Sequence, residues 1–339
     1  MGDTYPKVKA AVVQAAPVFL DREGTVDKAC RFIEEAADSG AKIIVFPECY
    51  IAAFPHWYTF YTPENPLIMR MYKEMFKNAV VVPSPATDRI GEAAKRADAY
   101  VVMGMNEKGA DTYGTLYNTA VFFGPNGEIQ GKRRKLVPTA YERLVHAGGD
   151  GSTLDVFDTP YGGLSALLCG ENVNALARFS LLAKGEVIHA AMWPAFPLVQ
   201  HKSTVEGMFI RIKAHAYEGK IFVLSSSGIV SDEMMDAMEL NEAARKLIVN
   251  DGGNSTILNP MGRSIVDSVR GETVLYAELN MDEVIAGKYM HDVTGHYNRF
   301  DVFTLSVNRH TNYSLVETCE SEWPDPTADL EKLEGEEEG

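Results

Sequence analysis

Short apolar runs alternate with amphipathic stretches along this chain, and that alternation restricts the folds available to it. Residues 8–13 and 43–46 are apolar runs of strand length, and residues 25–38 between them carry apolar side chains at helical spacing. Because parallel strands need such a crossover, this opening predicts a βαβ unit. Strand and helix alternate again over residues 164–168, 173–183, 187–192, 207–217 and 221–225. The sequence therefore predicts an α/β protein with helices layered on its sheets.

Two turn-rich segments predict hairpins within this pattern. Gly-Pro-Asn-Gly at 124–127 and Asn-Pro-Met-Gly at 259–262 separate strand-like runs, so antiparallel strands should extend a mixed sheet. The regular pattern fades past about Asp301, and nothing in the middle of the chain resembles a flexible linker. We expect one domain over residues 1–305 and a C-terminal extension over residues 306–339.

Acidic residues are concentrated at the end of the chain. The net charge is −15, and residues 317–339 hold ten acids against the single base Lys332. Such a block of like charge is typical of a solvated, disordered tail. The remainder has no broad basic surface, which argues against nucleic acid and anionic membranes as partners. No apolar run reaches the roughly 18 residues that a membrane span requires.

The cysteines and histidines form no ligand or disulfide pattern. Cys30, Cys49, Cys169 and Cys319 are scattered, and none belongs to a C-x-x-C pair. The N-terminal segment also lacks the apolar core of a secretory signal, so the sequence favours a cytoplasmic protein. The histidines lie in separate segments without H-E-x-x-H or Cys/His spacing. The sequence therefore predicts neither a metal nor a cofactor.

Polar side chains follow three of the apolar runs at the point where each run ends. Glu48 closes the second run, Cys169 closes the run at 164–168, and Lys135 ends the strand after the first hairpin. Reactive side chains collect at the carboxyl ends of strands in open α/β sheets. Each residue alone has an ordinary interpretation, as a core thiol, a loop acid and a lysine in a solvated basic run.

Together the three residue types match the needs of a thiol hydrolase. A thiol must lose its proton to attack, and a carboxylate such as Glu48 can accept that proton. Attack on a nitrile or carbonyl carbon builds negative charge on the heteroatom, which the Lys135 ammonium and backbone N–H groups can stabilise. The set of Cys169, Glu48 and Lys135 therefore predicts nucleophilic hydrolysis without a histidine.

The three residues lie within the motifs Phe46-Pro47-Glu48, Arg134-Lys135-Leu136-Val137-Pro138-Thr139 and Leu168-Cys169-Gly170-Glu171-Asn172. In that order and separation, the motifs resemble the signatures of the nitrilase branch of the carbon-nitrogen hydrolase superfamily. Further similar stretches are residues 158–162, Trp193-Pro194 and residues 295–301. The resemblance covers roughly residues 8–305, and it implies a four-layer αββα sandwich with catalytic Glu48, Lys135 and Cys169.

The resemblance also implies an activity. A member of this branch hydrolyses an organic nitrile to the carboxylic acid and ammonia, here through a Cys169 thioimidate and thioester. Glu142 occupies the place of a second catalytic glutamate that the family carries soon after its lysine. An amidase, or a cyanide or nitrile hydratase, would use the same residues, and a non-catalytic assembly protein of the same fold is a further alternative. The family's habit of association implies a homo-oligomer, from a dimer to a filament.

One position departs from the family pattern, because Gly170 follows the nucleophile where a tryptophan is common. The backbone N–H remains available as an oxyanion donor, but the pocket loses a large wall. The aromatic segment 50–61 can supply that wall or pack in the core. The substrate-binding residues that we predict are Gly170, Asn172, Tyr50, Trp57 and Trp193.

Overall fold

The computed structural model describes residues 2–110, 112–198, 201–248, 253–267, 269–313 and 315–316. The tail predicted to be disordered, residues 317–339 with Cys319, lies outside the described residues. The strands are β1 (Lys7–Gln14), β2 (Ile43–Val45), β3 (Tyr100–Lys108), β4 (Leu116–Phe123), β5 (Ile129–Arg134), β6 (His146–Ala147), β7 (Gly163–Leu168), β8 (Glu186–Trp193), β9 (Phe222–Ser227), β10 (Thr256–Leu258), β11 (Ser264–Val266) and β12 (Thr273–Asn280). The helices are α1 (Arg22–Asp38), α2 (Pro66–Asn78), α3 (Pro85–Ala97), α4 (Ala175–Ala183), α5 (Lys202–Gly219), α6 (Asp232–Ala237), α7 (Glu242–Arg245) and α8 (Asp282–Lys288). Short 3₁₀ turns lie at His56–Thr59, Ala140–Leu144, Gly151–Thr153 and Cys169–Val173.

The strands form two mixed sheets. The first has the order β12-β1-β2-β3-β4-β5, with β6 beside β4, and the second has the order β11-β10-β9-β8-β7. Strands β1, β2 and β3 pair in parallel through helical crossovers, and so do β7, β8 and β9. The turns at 124–127 and 259–262 join antiparallel pairs, β4 with β5 and β10 with β11. Both predicted hairpins are therefore confirmed.

Alternate side chains of each strand face opposite sides of its sheet, and this alternation builds the layers. In β1, Val12 joins a core between the two sheets together with Leu168 of β7 and Ala190 of β8. Its neighbour Val13 faces the other way and packs with Ile33 of α1 in a core that α3 also covers. Helices α4 and α5 cover the outer face of the second sheet. The result is the four-layer αββα sandwich that the resemblance implies.

Capping residues set where the helices begin. The Asp21 carboxylate accepts a hydrogen bond from the Gly24 N–H at 3.0 Å, so α1 begins three residues before the predicted residue 25. Asn174 caps α4 in the same way, so α4 begins at Ala175, two residues after the start of the predicted range. Helices α2 and α3, which the sequence analysis does not predict, begin at Asn65-Pro66 and Ser84-Pro85. Proline favours the first helical position because its missing N–H would be unpaired there.

Past α8, the described part of the chain carries no helix or strand. Val307 nevertheless packs beside Leu154 and Leu167, and Arg309 pairs with the Asp155 carboxylate at 2.5 Å. The first residues of the predicted extension therefore lie against the body of the protein. No helix within the described ranges combines the length and the apolar character needed to cross a membrane.

Candidate active site

The carboxyl ends of three strands meet where the two sheets face each other. Glu48 follows β2, Lys135 follows β5 and Cys169 follows β7. The Lys135 N–H donates to the Asn118 carbonyl of β4 at 2.9 Å, and the Glu48 N–H donates to the Trp193 carbonyl of β8 at 3.3 Å. The second hydrogen bond ties the first sheet to the second. The structure thus brings the three predicted residues, drawn from both sheets, into one site.

A buried ion cluster forms the centre of this site. The Lys135 Nζ lies 2.7 Å from Glu48 Oε1 and 2.6 Å from Glu142 Oε2, and the three side chains are at most 1% exposed. Buried charges are costly unless they are paired, which explains why the ammonium and the carboxylates lie in direct contact. The structure therefore places Glu142 beside Lys135.

Two polar side chains that no sequence motif indicated complete the cluster. The Asn118 Nδ2 donates to Glu48 Oε1 and, at 2.8 Å, to Glu142 Oε1. The His146 Nδ1 lies 3.4 Å from Glu142 Oε1, and its Nε2 lies 2.7 Å from Asn106 Oδ1. Asn118 interrupts the apolar run of β4. An amide inside a buried strand needs hydrogen-bond partners, and that signal could have revealed it.

The two carboxylates differ in their pKa values. Burial raises the pKa of Glu48 to about 7 against the opposing charge of Lys135, and the Glu142 charge contributes to the rise. Burial alone would raise the pKa of Glu142 as well, but His146 and Lys135 hold it at about 2. Glu48 can therefore exchange a proton near neutral pH, whereas Glu142 stays a fixed negative charge.

The thiol of Cys169 is neutral at rest. Burial, together with the Glu48 charge, raises its pKa to about 12 although Lys135 opposes the rise. Burial lowers the pKa of Lys135, but Glu48, Cys169 and Glu142 together raise it well above its usual value, so Lys135 stays charged. Glu48 Oε2 is buried and accepts no hydrogen bond from the described residues. This oxygen is therefore available to accept the thiol proton when Cys169 attacks.

Cys169 occupies a sharp turn at the end of β7. Its φ is 47°, in the left-handed region that residues other than glycine rarely adopt. The Glu171 carboxylate supports this turn by accepting the Leu168 N–H at 3.1 Å and the Leu136 N–H at 2.6 Å. Arg133 pairs with the same carboxylate at 2.7 Å, and both side chains are buried. Glu171 thus joins the nucleophile turn to the segment that carries the lysine.

Gly170 packs closely against Thr139. A Cβ atom built on Gly170 would lie 2.7 Å from the Thr139 Oγ1, so any side chain at this position requires Thr139 to move. The Gly170 N–H donates toward Cys169 and lowers the pKa of its thiol. This N–H therefore lies beside the attacking atom, where it can also meet developing negative charge.

Two cavities open beside Cys169. The aromatic cavity has a volume of about 460 Å³, and its lining includes Cys169, Glu142, Phe54, His56, Tyr58 and Phe196. The glycine cavity has a volume of about 510 Å³, and its lining includes Cys169, Gly170, Glu171, Val173 and Arg211. Thr139, Phe196 and Cys169 line both, so the cavities meet at the nucleophile. Their volumes lie in the range of small-molecule sites.

The predicted substrate-binding residues do not gather around these cavities. Gly170 lines the glycine cavity, whereas Asn172, Tyr50, Trp57 and Trp193 line neither. Asn172 lies beneath the nucleophile turn with its amide bonded to backbone carbonyls, and Trp193 is fully buried with its indole N–H bonded to a neighbouring strand. Tyr50 and Trp57 belong to separate core clusters.

The aromatic segment 50–61 divides between core and cavity. Ala52 and Ala53 have φ values of 70°, so the chain turns sharply just after Tyr50. The following residues Phe54, His56 and Tyr58 then line the aromatic cavity, while Trp57 between them points into the core. The sequence alone cannot show which of these rings line the cavity and which pack in the core, because composition carries no information about a turn of this kind.

Within the described ranges, Glu186, His189 and His215 place potential metal-ligand atoms within 4.8 Å of one another. The Glu186 carboxylate already pairs with the His189 Nδ1 at 2.6 Å and with the His215 Nε2 at 2.9 Å, and the group is fully buried. A metal would have to displace these hydrogen bonds, so the arrangement is that of a hydrogen-bonded cluster. The residues come from β8 and α5, and their separation in sequence explains why no ligand spacing revealed them.

Fold and site together define an αββα protein with a thiol, a glutamate and a lysine at its strand ends and a second glutamate beside the lysine. The carbon-nitrogen hydrolase family model matches residues 9–289. A nitrilase from Bacillus sp. (strain OxB-1) is 35% identical over 308 residues, which cover 90% of this chain and 89% of that protein. A bifunctional nitrilase/nitrile hydratase from Lupinus angustifolius is 36% identical over 331 residues, 93% of this chain and 90% of that protein. The chain therefore belongs to the carbon-nitrogen hydrolase family, in its nitrilase branch.

Solved structures share the fold. The crystal structure of a carbon-nitrogen hydrolase from Helicobacter pylori G27 matches with a TM-score of 0.68 at 18% identity, over 84% of this chain and 92% of that chain. At this level of identity the match speaks for the fold alone. The family resemblance and the αββα sandwich predicted from the three motifs are both confirmed.

Proposed function

We propose that this chain is a nitrilase, which hydrolyses an organic nitrile to the carboxylic acid and ammonia. The observation that carries the proposal is the buried ion cluster of Glu48, Lys135 and Glu142 beside the neutral thiol of Cys169. In this cluster Glu48 has a pKa of about 7, which suits a general base at neutral pH. The relatives named nitrilases, at about 35% identity over most of the chain, support a nitrile as the substrate.

In the first stage, Glu48 Oε2 accepts the thiol proton while the Cys169 sulfur bonds to the nitrile carbon. Negative charge develops on the nitrile nitrogen, where the Lys135 ammonium and the Gly170 N–H stabilise it. Glu48 then passes its proton to that nitrogen. The product of this stage is a thioimidate on Cys169, with Glu48 again a carboxylate.

In the second stage, water adds to the thioimidate carbon and gives a proton to Glu48. Glu48 returns that proton to the nitrogen and then transfers the hydroxyl proton of the tetrahedral adduct to it, so that ammonia leaves and a thioester remains on Cys169. A second water, activated by Glu48, releases the carboxylic acid and restores the thiol. If the carbon–sulfur bond of the first adduct breaks instead, the amide is released, and the same residues then act as a nitrile hydratase.

Glu142 has a different role from Glu48 in this scheme. Because its pKa is held at about 2, it remains ionised and does not carry protons at neutral pH. It contacts the Lys135 ammonium at 2.6 Å and also lines the aromatic cavity. We assign Glu142 to holding Lys135 in place beside the substrate.

Product analysis tests the proposal. Purified protein is incubated with aliphatic and aromatic nitriles and with the matching amides, and the acid, amide and ammonia are quantified. We expect acid with equimolar ammonia from nitriles, and no turnover of free amides. Accumulation of amide would indicate a hydratase, and turnover of amides alone would indicate an amidase.

The covalent route has its own test in a pair of cysteine variants. Cys169→Ala should abolish turnover while the protein stays folded, because no other group takes the place of the sulfur. Cys30→Ala is the matched control, since this free thiol lies on α1 and its sulfur faces the Arg89 carbonyl. Retained activity in Cys169→Ala would contradict the thioimidate route.

We further propose a division at residue 305 between the hydrolase domain and a C-terminal extension. The family match ends at residue 289 and the regular elements end at Lys288, both before this division, while Val307 just beyond it still packs against the body. We also propose self-association as a dimer or a higher oligomer, which the exposed apolar side chains Val173, Leu176 and Ile210 support.

A cytoplasmic location is consistent with the free thiols of the described cysteines.

A further inference from the structure

A buried chain of hydrogen bonds runs from β8 to the turn that carries the nucleophile. The Glu186 Oε1 lies 2.6 Å from His189 Nδ1, and His189 Nε2 lies 3.0 Å from Asn172 Oδ1. The Asn172 Nδ2 donates to the Leu167 carbonyl at 3.2 Å and to the Cys169 carbonyl at 3.1 Å. Glu186, His189 and Asn172 are each at most 1% exposed. None of the three takes part in the proton transfers of the proposed hydrolysis.

The available donors fix the direction of each bond in this chain. Backbone carbonyls only accept, so Asn172 turns its NH₂ group toward them and its oxygen toward His189. Burial raises the pKa of Glu186, but His215 and His189 hold it well below its usual range, so it is a carboxylate. Both ring nitrogens of His189 therefore face acceptors, and its Nε2 donates to the Asn172 oxygen. The ring thus connects a buried carboxylate to the Asn172 amide.

The chain ends on the peptide group between Cys169 and Gly170. In a trans peptide the carbonyl oxygen and the N–H point in opposite directions from one rigid plane. Anchoring the Cys169 oxygen therefore fixes the direction of the Gly170 N–H, which donates toward the thiol. A hydrogen bond to the carbonyl also polarises the peptide and strengthens its N–H as a donor.

We infer that Glu186, His189 and Asn172 are positioning residues that orient and polarise the Gly170 N–H for the charge that develops as Cys169 attacks. The inference rests on the proposed function, since it assigns the Gly170 N–H to that charge. The three residues act through the peptide, because none of them lines either cavity beside the nucleophile. The φ of 47° at Cys169 is an unfavourable conformation that persists only where surrounding contacts hold it. Asn172 supplies two such contacts, because the carbonyls that it binds belong to Leu167 and Cys169 on either side of the turn.

Two variants of His189 each keep one of the two hydrogen bonds that its ring makes. In His189→Asn, the amide nitrogen takes the place of Nδ1, so the donor to Glu186 remains and the donor to Asn172 is lost. In His189→Gln, the amide nitrogen takes the place of Nε2, so the donor to Asn172 remains. We expect His189→Asn to lower kcat about tenfold with KM within about twofold, and His189→Gln to recover most of that loss.

His215 provides the matched control. It is as buried as His189, and its Nε2 bonds to the other Glu186 oxygen at 2.9 Å rather than to Asn172. His215→Asn removes the same ring atoms and should lower the melting temperature to a similar extent. Its kcat should nevertheless stay within about twofold of wild type, because the chain through Asn172 is intact.

Alkylation of Cys169 by iodoacetamide, followed by peptide mass spectrometry, gives a second readout that needs no nitrile turnover. We expect slower alkylation in His189→Asn and wild-type alkylation in His215→Asn, since only the former weakens the Gly170 N–H. A failure of the nitrilase proposal would leave this result unchanged, so the two failures are distinguishable. Asn172→Ser removes the amide that binds the Cys169 carbonyl, and it should behave as His189→Asn does. This second variant keeps the test valid if His189→Asn does not fold.

Three results would overturn the inference. They are unchanged kcat and alkylation in folded His189→Asn, equal losses in His189→Asn and His215→Asn, and one tightly bound divalent metal per chain that His215→Asn loses. The first result would show that the hydrogen bonds through His189 and Asn172 do not affect the thiol. The second would mean that the cluster supports only the fold, and the third would identify Glu186, His189 and His215 as metal ligands.

Discussion

Glu48 and Glu142 contact the same ammonium, yet only Glu48 exchanges a proton near neutral pH. Glu48 must be ionised to accept the thiol proton, so kcat/KM should fall as the pH drops through its pKa of about 7. The Glu142 charge raises that pKa, so Glu142→Gln should lower it and move the acid limb of the profile to lower pH, by about one unit. Measurement of kcat/KM between about pH 5 and pH 9 gives the shift.

The control for this prediction is Glu107→Gln. Glu107 is also buried and ionised, but it pairs with Lys132 and Arg134 away from the cluster. Its replacement should leave the acid limb in place. An acid limb that does not move in Glu142→Gln would show that another group sets it.

Gly170 and Thr139 form the second pair whose coupling can be measured. A methyl group at Gly170 would meet the Thr139 Oγ1 at 2.7 Å, so Gly170→Ala should reduce kcat/KM by at least about tenfold by displacing Thr139 or the turn. Thr139→Ala removes that oxygen and should be mild alone, and the double variant should recover most of the loss. Additive effects in the double-mutant cycle would mean that the contact does not limit activity.

At the scale of elements, the nucleophile turn and the lysine segment are joined by the buried Glu171–Arg133 pair. Glu171→Gln leaves the buried Arg133 without its counter-charge, so we expect the free energy of unfolding to fall by about 3 kcal/mol. Glu34→Gln is the control, because its partner Arg96 and Glu34 itself are both more than half exposed. That change should cost less than about 1 kcal/mol. Urea unfolding measures both, and equal losses would contradict the structural role of Glu171.

The positions of the strands and helices show which parts of the fold and site can be predicted from the sequence. Glu48, Lys135 and Cys169 were predictable because each follows an apolar run, and the carboxyl ends of neighbouring strands converge. Helices α2 and α3 were not predicted, although Asn65-Pro66 and Ser84-Pro85 are start signals, because they follow one another without the apolar strand that separates the predicted helices. Contacts between distant elements, such as His189 of β8 with Asn172, carry no local pattern and needed the structure.

At the scale of the whole molecule, the outer helical layer predicts self-association. Ile210 on α5 and Leu176 on α4 are exposed apolar side chains, and water contact with such side chains favours burial against a second copy. We expect light scattering to give a mass of at least about twice the 37.3 kDa of one chain. Ile210→Asp should shift the distribution toward the monomer, whereas Met69→Asp, also exposed but on α2, should not. A single monomer peak for the wild type would contradict the prediction.

The hydrogen bond from the Glu48 N–H to the Trp193 carbonyl crosses from one sheet to the other, and this has a consequence for how the protein becomes active as it folds. The base and the ammonium belong to the first sheet and the sulfur to the second. A nascent chain with only one sheet formed therefore has either the base and the ammonium in place or the sulfur, and not all three. Nitrile hydrolysis therefore cannot begin until the two sheets have packed against each other, and the appearance of catalytic activity reports that folding is complete.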